Sequence, residues 1–185
     1  MEAYVLEWVN LALRWAHVVV GIAWIGASFY FIWLDNHLEP SGDARIAGEL
    51  WAIHGGGFYR AEKFRLAPAR MPATLHWFKW EAYWTWFTGM ALLALVYYAH
   101  AELYLVDAQV MPLSKPWATG IGLAFIVGGY SIYEALCRSP LARSDFALGF
   151  ALFILLGLAA WGLTRIFGGR GAFIHYDAIL GTIMV

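Results

Sequence analysis

The chain has 185 residues, of which 62% are hydrophobic and only 14% charged, and its formal net charge is −1. Soluble domains are about 45–50% apolar and about 25% charged, and a globule of this size cannot bury such an apolar excess. The composition therefore predicts an integral membrane protein. It excludes a disordered chain and, because the net charge is not basic, a nucleic-acid partner. The single cysteine, Cys137, excludes an internal disulfide scaffold.

Four apolar stretches are long enough to cross a hydrocarbon core of about 30 Å as helices. The four predicted spans cover residues 4–34, 77–98, 117–136 and 146–167. Each is bounded by residues that stop helices, which are Asp35-Asn36 with Pro40, Pro112 with Pro116, Pro140, and the Gly168-Gly169 pair. The predicted fold class is an all-α, polytopic transmembrane helical bundle, with residues 1–185 forming a single transmembrane domain.

A fifth apolar stretch covers residues 173–185. Its helix would be only about 20 Å long, which is too short to cross the bilayer. We expect it to be a span truncated at the C-terminus, so that the chain would be the N-terminal part of a longer membrane domain. The alternative is a short re-entrant or interfacial segment.

The distribution of basic residues predicts the orientation. The longest connection, residues 35–75, holds five of them, which are Arg45, Arg60, Lys63, Arg65 and Arg70. By the positive-inside rule this loop is cytoplasmic and the N-terminus lies outside. Within the loop the sequence predicts a helix over 44–53, then three glycines, then an aromatic and basic run that suits the membrane surface.

The first span carries a stripe of polar and small residues at alternating spacings of three and four. Its members are Glu7, Asn10, Arg14, His17, Gly21, Trp24 and Ser28. This spacing places them on one helix face. Because charged groups within a span are costly against lipid, we expect this face to point into the bundle.

His17 is a candidate haem ligand. A membrane histidine one turn from Arg14, with Gly21 leaving space nearby, suits haem b, with the imidazole on the iron and the guanidinium on a propionate. His175, in the last apolar stretch, is predicted at a similar depth and is a candidate second axial ligand. The alternatives are a helix-packing role for His17 and a water-facing, interfacial position for His175.

A second cluster is predicted on the inner side. His54 precedes Gly55-Gly56-Gly57, and His76, Lys79 and Glu81 open the second span among tryptophans. A cation, histidines and stacking rings suit a flat, anionic, aromatic substrate. The alternative is an aromatic belt in which Lys79 reaches the lipid headgroups.

Four blocks of the sequence carry a family resemblance. They read RWAHVVVGIAWIGASFYFIWLDN, GELWAIHGGGFYRAEKF, LHWFKWEAYWTWFTGMALL and GRGAFIHYDAILGTIMV. They resemble the membrane domain of the bacterial cytochrome-c-linked urate oxidase, and the resemblance covers essentially the whole chain. In that family a multi-span membrane domain precedes a c-type cytochrome domain. Haem c would therefore belong only to that further domain, since no C-x-x-C-H motif occurs here.

The resemblance implies oxidation of urate to 5-hydroxyisourate in purine catabolism, at the bacterial cytoplasmic membrane. Electrons would pass through haem b to cytochrome c. The family's motif histidines correspond to His17, His54, His76 and His175. We expect His17, Arg14 and His175 to bind haem, with both histidines on its iron. The expected catalytic residues are His54, His76, Lys79 and Glu81, and the partners are urate, cytochrome c and the lipid bilayer.

Two other functions are compatible with the residues alone. One is a non-enzymatic, haem-binding subunit that transfers electrons for a separate enzyme. The other is a transporter of small anions that uses the intramembrane charges of Arg14, Lys79 and Glu81.

Overall fold

The computed structural model describes residues 2–185. Its helices are α1 (Glu2–Asn36), α2 (Lys79–Leu92), α3 (Ala101–Tyr104), α4 (Lys115–Cys137), α5 (Asp145–Thr164) and α6 (Gly169–Met184). A π-helical segment, Leu93–Tyr98, follows α2, and one 3₁₀ turn, Pro140–Arg143, precedes α5. Two strands, β1 (Ile46–His54) and β2 (Gly57–Phe64), form a hairpin between α1 and α2.

Three of the predicted spans are confirmed as helices long and apolar enough to cross a membrane. They are Tyr4–Asn36, Lys115–Cys137 and Asp145–Thr164. α1 has 35 residues and is about 50 Å long at 1.5 Å per residue, so it exceeds the hydrocarbon thickness and must tilt or protrude. The membrane location follows from these helices.

The predicted span over 77–98 is helical, but the structure divides it and it is not among those three helices. The α-helix has 14 residues and continues into the six-residue π-helical segment. At the end of that segment the amide of Ala99 donates to the carbonyl of Ala94, five residues back, at 2.9 Å. Such widened turns are rare and concentrate at functional sites.

The prediction of an all-α fold was wrong in one region, because the helix predicted over 44–53 is strand β1. β1 and β2 pair antiparallel, from Ile46 opposite Phe64 to His54 opposite Gly57. Gly55 and Gly56 make the connection with φ values of 57° and 81°. Positive φ at both central residues is what a type I′ hairpin turn requires, and here the long-range pairing overrides the helix propensity of the segment.

The last apolar stretch is helix α6, which begins at Gly169, four residues before the predicted start. Although short, it lies at the centre of the bundle, where it contacts α2, α4 and α5. Its inner face is buried at Gly171, Ala172, His175 and Ile179. α1 packs on α2, so α2 joins the first helix to the rest of the bundle.

Candidate functional site

At the interface between α1 and α2, His17 is held by a hydrogen bond through one of its ring nitrogens. The hydroxyl of Thr88 donates to the carbonyl of Trp84 at 2.7 Å, so its proton is already used. The contact of 2.9 Å between Thr88 Oγ1 and His17 Nδ1 is therefore one in which Nδ1–H donates. This tautomer leaves Nε2 unprotonated, and Nε2 has no hydrogen bond in the described part of the chain. Nε2 is thus the ring nitrogen through which His17 could bind a metal ion.

His17 lines a cavity of about 220 Å³ between α1, α2 and α6. Gly89 of α2 lies against the imidazole, and a Cβ at that position would be 3.0 Å from His17 Cε1. Asp177 of α6 also lines this cavity. A second cavity, of about 360 Å³, shares Trp24 and Val185 with the first and is also lined by Lys79.

The polar stripe of α1 faces the bundle along only half of its length. His17 and Trp24 line the cavity, and a Cβ at Gly21 would lie 3.9 Å from Thr85 of α2. Glu7 and Arg14 are exposed, so the expectation that the whole face points inward was wrong.

Arg14 bonds to its own helix. Its Nε donates to Asn10 Oδ1 at 2.8 Å, and the side chain is exposed one turn from His17. Exposure on the N-terminal side of His17 leaves the guanidinium accessible to an acidic ligand group.

His175 has a different environment. It is completely buried, so the water-facing alternative for this residue is wrong. Its Nδ1 lies 2.7 Å from the carbonyl of Gly171 and must donate, which leaves Nε2 to accept from the hydroxyl of Tyr98 at 3.1 Å. The ring stacks on Phe167 with centroids 4.8 Å apart.

Gly122 of α4 closes the other side of the His175 ring. A Cβ at Gly122 would overlap Nε2 and would lie 2.8 Å from Cδ2. His175 does not line the cavity that His17 lines. The structure therefore places the two predicted axial ligands in separate environments, and the pairing of both on one iron stays a prediction.

The residues that open α2 form a smaller cluster, and three of its predicted members lie together. His76 Nε2 is 3.5 Å from Glu81 Oε1, and the His76 ring packs edge-on against Phe78. Lys79 Nζ lies 4.8 Å above the ring of Trp77. Glu81 Oε2 is buried and has no hydrogen-bond partner in the described residues. The cluster thus combines an acceptor, an imidazole, a cation and exposed rings.

His54 is separate from this cluster. It is exposed at the end of β1, next to the hairpin turn, where it pairs with Gly57. Within residues 2–185 no hydrogen bond, ion pair or ring contact joins His54 to His76, Lys79 or Glu81. The structure therefore does not assemble the four predicted catalytic residues into one site.

Sequence reasoning missed three residues that the structure places around the histidines. Thr88 fixes the His17 tautomer, Tyr98 bonds to His175, and Asp177 lines the cavity. The helical spacing of Thr88 from Glu81 and Thr85 was a signal for a polar face. No sequence signal pairs Tyr98 with His175, because 77 residues separate them. The described residues contain no group of three or more His, Cys, Asp or Glu side chains that could hold a bare metal ion.

Comparison with known proteins gives one match. The family model described as urate oxidase N-terminal matches residues 3–185. No curated protein and no solved structure matches the chain. Because the match covers nearly every residue, it confirms the resemblance drawn from the four sequence blocks. The chain belongs to the urate oxidase N-terminal family.

Proposed function

We propose that the chain is the membrane part of a urate oxidase that converts urate to 5-hydroxyisourate and passes the electrons through haem b to cytochrome c. The observation that carries the proposal is the family membership over residues 3–185. The three apolar helices support a place in the bacterial cytoplasmic membrane. In the proposed orientation the N-terminus is outside and the hairpin is cytoplasmic.

The cluster at the start of α2 is the proposed urate site. Two electrons and two protons leave urate and a water molecule, and the water oxygen becomes the 5-hydroxyl group. His76 would accept a proton, with Glu81 3.5 Å away to stabilise its charged form. Lys79 would pair with the urate anion, and Trp77 beside it offers a ring for stacking. His54 would join only if the hairpin reached the site.

The surroundings of His17 fit haem b. Nδ1 is held by Thr88, Nε2 has no hydrogen bond within residues 2–185 and could bind iron, and the ring borders a cavity. Arg14 is exposed one turn away and is suited to a propionate. The two adjoining cavities together reach the range of about 300–1,000 Å³ usual for ligand pockets. When bound, haem would supply one-electron redox chemistry.

His175 fits less well as a ligand. Its Nε2 would have to lose the hydrogen bond from Tyr98, and Gly122 lies against the same nitrogen. The geometry therefore supports His17 as the iron ligand more strongly than His175.

Optical spectroscopy tests the proposal directly. The protein is purified from membranes, and its Soret band is recorded before and after addition of urate without oxygen. We expect a haem b spectrum that urate reduces. A haem spectrum that urate leaves oxidised would favour the passive electron-transfer subunit, and a colourless protein would overturn the haem assignment.

A substitution of Lys79 tests the urate site. Lys79→Gln keeps much of the side-chain length and deletes the charge, so a charge-assisted hydrogen bond of about 1.5–3 kcal/mol becomes a weaker neutral one. We expect the dissociation constant for urate to rise roughly tenfold, with an unchanged haem spectrum. The control is Lys115→Gln at the start of α4, which should leave urate binding unchanged. Equal affinities in both variants would remove urate from this cluster.

A further inference from the structure

One face of the hairpin carries an unusual group of exposed apolar side chains. Residues on alternate positions of a strand, and residues directly opposite each other, share a face. Trp51 and Ile53 of β1 therefore lie on the same face as Phe58, which is paired with Ile53. Their relative exposures are 63%, 66% and 79%. These three residues are called the apolar tip below.

The opposite face of the hairpin is already covered at its base. Gly48 is buried there beneath Leu38, and a Cβ at Gly48 would lie 2.7 Å from the Leu38 Cβ. The backbones of Glu39 and Glu49 also exchange two hydrogen bonds, of 2.8 and 2.9 Å. The segment after α1 thus pairs with the edge of β1 and covers Gly48 on one face, and the apolar tip lies on the other face.

The charged side chains on this face form ion pairs next to the apolar tip. Arg60, paired with Trp51, bonds to Glu49 at 2.6 Å and to Glu62 at 2.9 Å. Hydrogen bonds from Arg60 and Ser41 hold the pKa of Glu49 below its usual value. The face therefore divides into an ion-paired base, where one arginine and two glutamates leave a net charge of −1, and an apolar end, an amphipathic pattern along the hairpin.

The hairpin is fixed at the end of a membrane helix. Lys63 Nζ lies 2.8 Å from Asp35 Oδ1 in the last turn of α1. Chain connectivity adds to this restraint, because α1 ends at Asn36 and α2 begins at Lys79. Arg65 and Arg70, on the segment that returns to α2, form no ion pair within the described residues. Free cations at this position are placed to meet lipid phosphates.

We propose that the apolar tip inserts into the boundary between headgroups and acyl chains of the membrane that α1 crosses, so that the hairpin is an interfacial anchor. Tryptophan and phenylalanine favour this depth. Burial of three large apolar side chains there offsets the conformational entropy lost when the hairpin is fixed at the membrane surface. A lipid surface fits better than a protein partner. The tip side chains carry a single polar group, the indole N–H of Trp51, and the free cations Arg65 and Arg70 at the base of the hairpin, near the end of α1, match anionic headgroups.

Spin-label accessibility tests this proposal on the whole protein. Single cysteines replace Ile53 and Phe58 on the tip face, or Ala52 and Tyr59 on the opposite face, in a Cys137→Ser background. Each variant is labelled with a nitroxide and reconstituted into vesicles of phosphatidylcholine and phosphatidylglycerol. Collisions are then measured with oxygen, which concentrates in lipid, and with a water-soluble nickel chelate.

We expect the ratio of oxygen to nickel collisions to be several-fold higher at positions 53 and 58 than at positions 52 and 59. The alternation between neighbouring residues is the critical result, because a general burial of the loop would not produce it. Equal ratios on the two faces would overturn the proposal. Low collision rates with both reagents at 53 and 58 would also overturn it, since they would show that protein and not lipid covers the tip. Neither result depends on haem or urate.

Discussion

The two membrane histidines, His17 and His175, differ in what their ring nitrogens are free to do. His17 uses Nδ1 on Thr88 and keeps Nε2 unprotonated beside a cavity. His175 donates through Nδ1 to the carbonyl of Gly171 and accepts at Nε2 from Tyr98, with no exposed surface. From the sequence alone, the two histidines are equivalent candidates to bind iron. Their hydrogen bonds in the structure make them different.

A glycine stands beside each ring, and the two glycines serve different purposes. Gly89 lets α2 pack against one side of a ring that still borders a cavity, whereas Gly122 lets α4 close completely over a ring that packs like a core residue. His175 thus joins α4, α6 and the π-helical segment, whereas His17 borders a cavity and is the histidine that we propose for ligand binding. The substitutions below test this division.

The largest expected effect is that of His175→Ala on stability. The change leaves the Tyr98 hydroxyl and the Gly171 carbonyl without their partner and opens a cavity beside Phe167. We expect the free energy of unfolding to fall by about 3–5 kcal/mol. Denaturant unfolding in detergent, followed by circular dichroism, measures it. A loss below that of His17→Ala would reverse the roles assigned to the two histidines.

A smaller effect is expected for Gly122→Ala. The added Cβ would overlap His175 Nε2, so the imidazole must shift and its bond to Tyr98 weakens. We expect a loss of about 1–3 kcal/mol, as for other overpacked cores.

The matched control is Gly128→Ala on the same helix, where a Cβ would meet no atom within 4 Å. Because alanine has a better helix propensity than glycine, this variant should have an unchanged free energy of unfolding or one higher by up to about 1 kcal/mol. If both variants have the same free energy of unfolding, the packing of His175 does not depend on the close approach of α4.

Hydropathy was sufficient to predict the long helices but not the partners of the histidines. Pro112 and Pro116 predicted the break before α4, and Gly168 predicted the end of the helix before it, because such residues act locally. Tyr98 and Gly122 contact His175 across 77 and 53 residues of sequence, and no pattern within a single helix reports such contacts.

The hairpin was missed for a related reason. The run over 44–53 contains good helix formers, and its preference for a strand appears only when it is paired with 57–64. A useful signal was present in Gly55-Gly56, between two runs of comparable length, which is typical of a tight hairpin turn. The glycines after His54 serve to reverse the chain.

The third prediction concerns His17→Ala and separates ligand binding from folding. Thr88 keeps its hydrogen bond to Trp84, and the lost ring borders a cavity, so we expect stability of the haem-free protein to change by less than about 1 kcal/mol. If His17 binds the iron as proposed, haem content per protein should fall almost to zero, as measured by the pyridine haemochrome spectrum. Unchanged haem content would remove His17 from the site.

The smallest effect is expected for Arg14→Leu. Arg14 is exposed and bonds only to Asn10 of its own helix, so its removal should leave stability within about 0.5 kcal/mol. An exposed pair with a haem propionate contributes about 1 kcal/mol or less, because solvent screens the charges. Haem should therefore dissociate several-fold faster than in the unmodified protein, but remain bound in the purified variant. The control is Arg165→Leu at the end of α5, a helix that contributes no residue to the His17 cavity; its guanidinium stacks on Trp161. Transfer of haem to an excess of apomyoglobin measures both rates. Equal rates in the two variants would show that Arg14 has no propionate contact, and a loss exceeding that of His17→Ala would make the guanidinium, and not the imidazole, the main attachment of the haem.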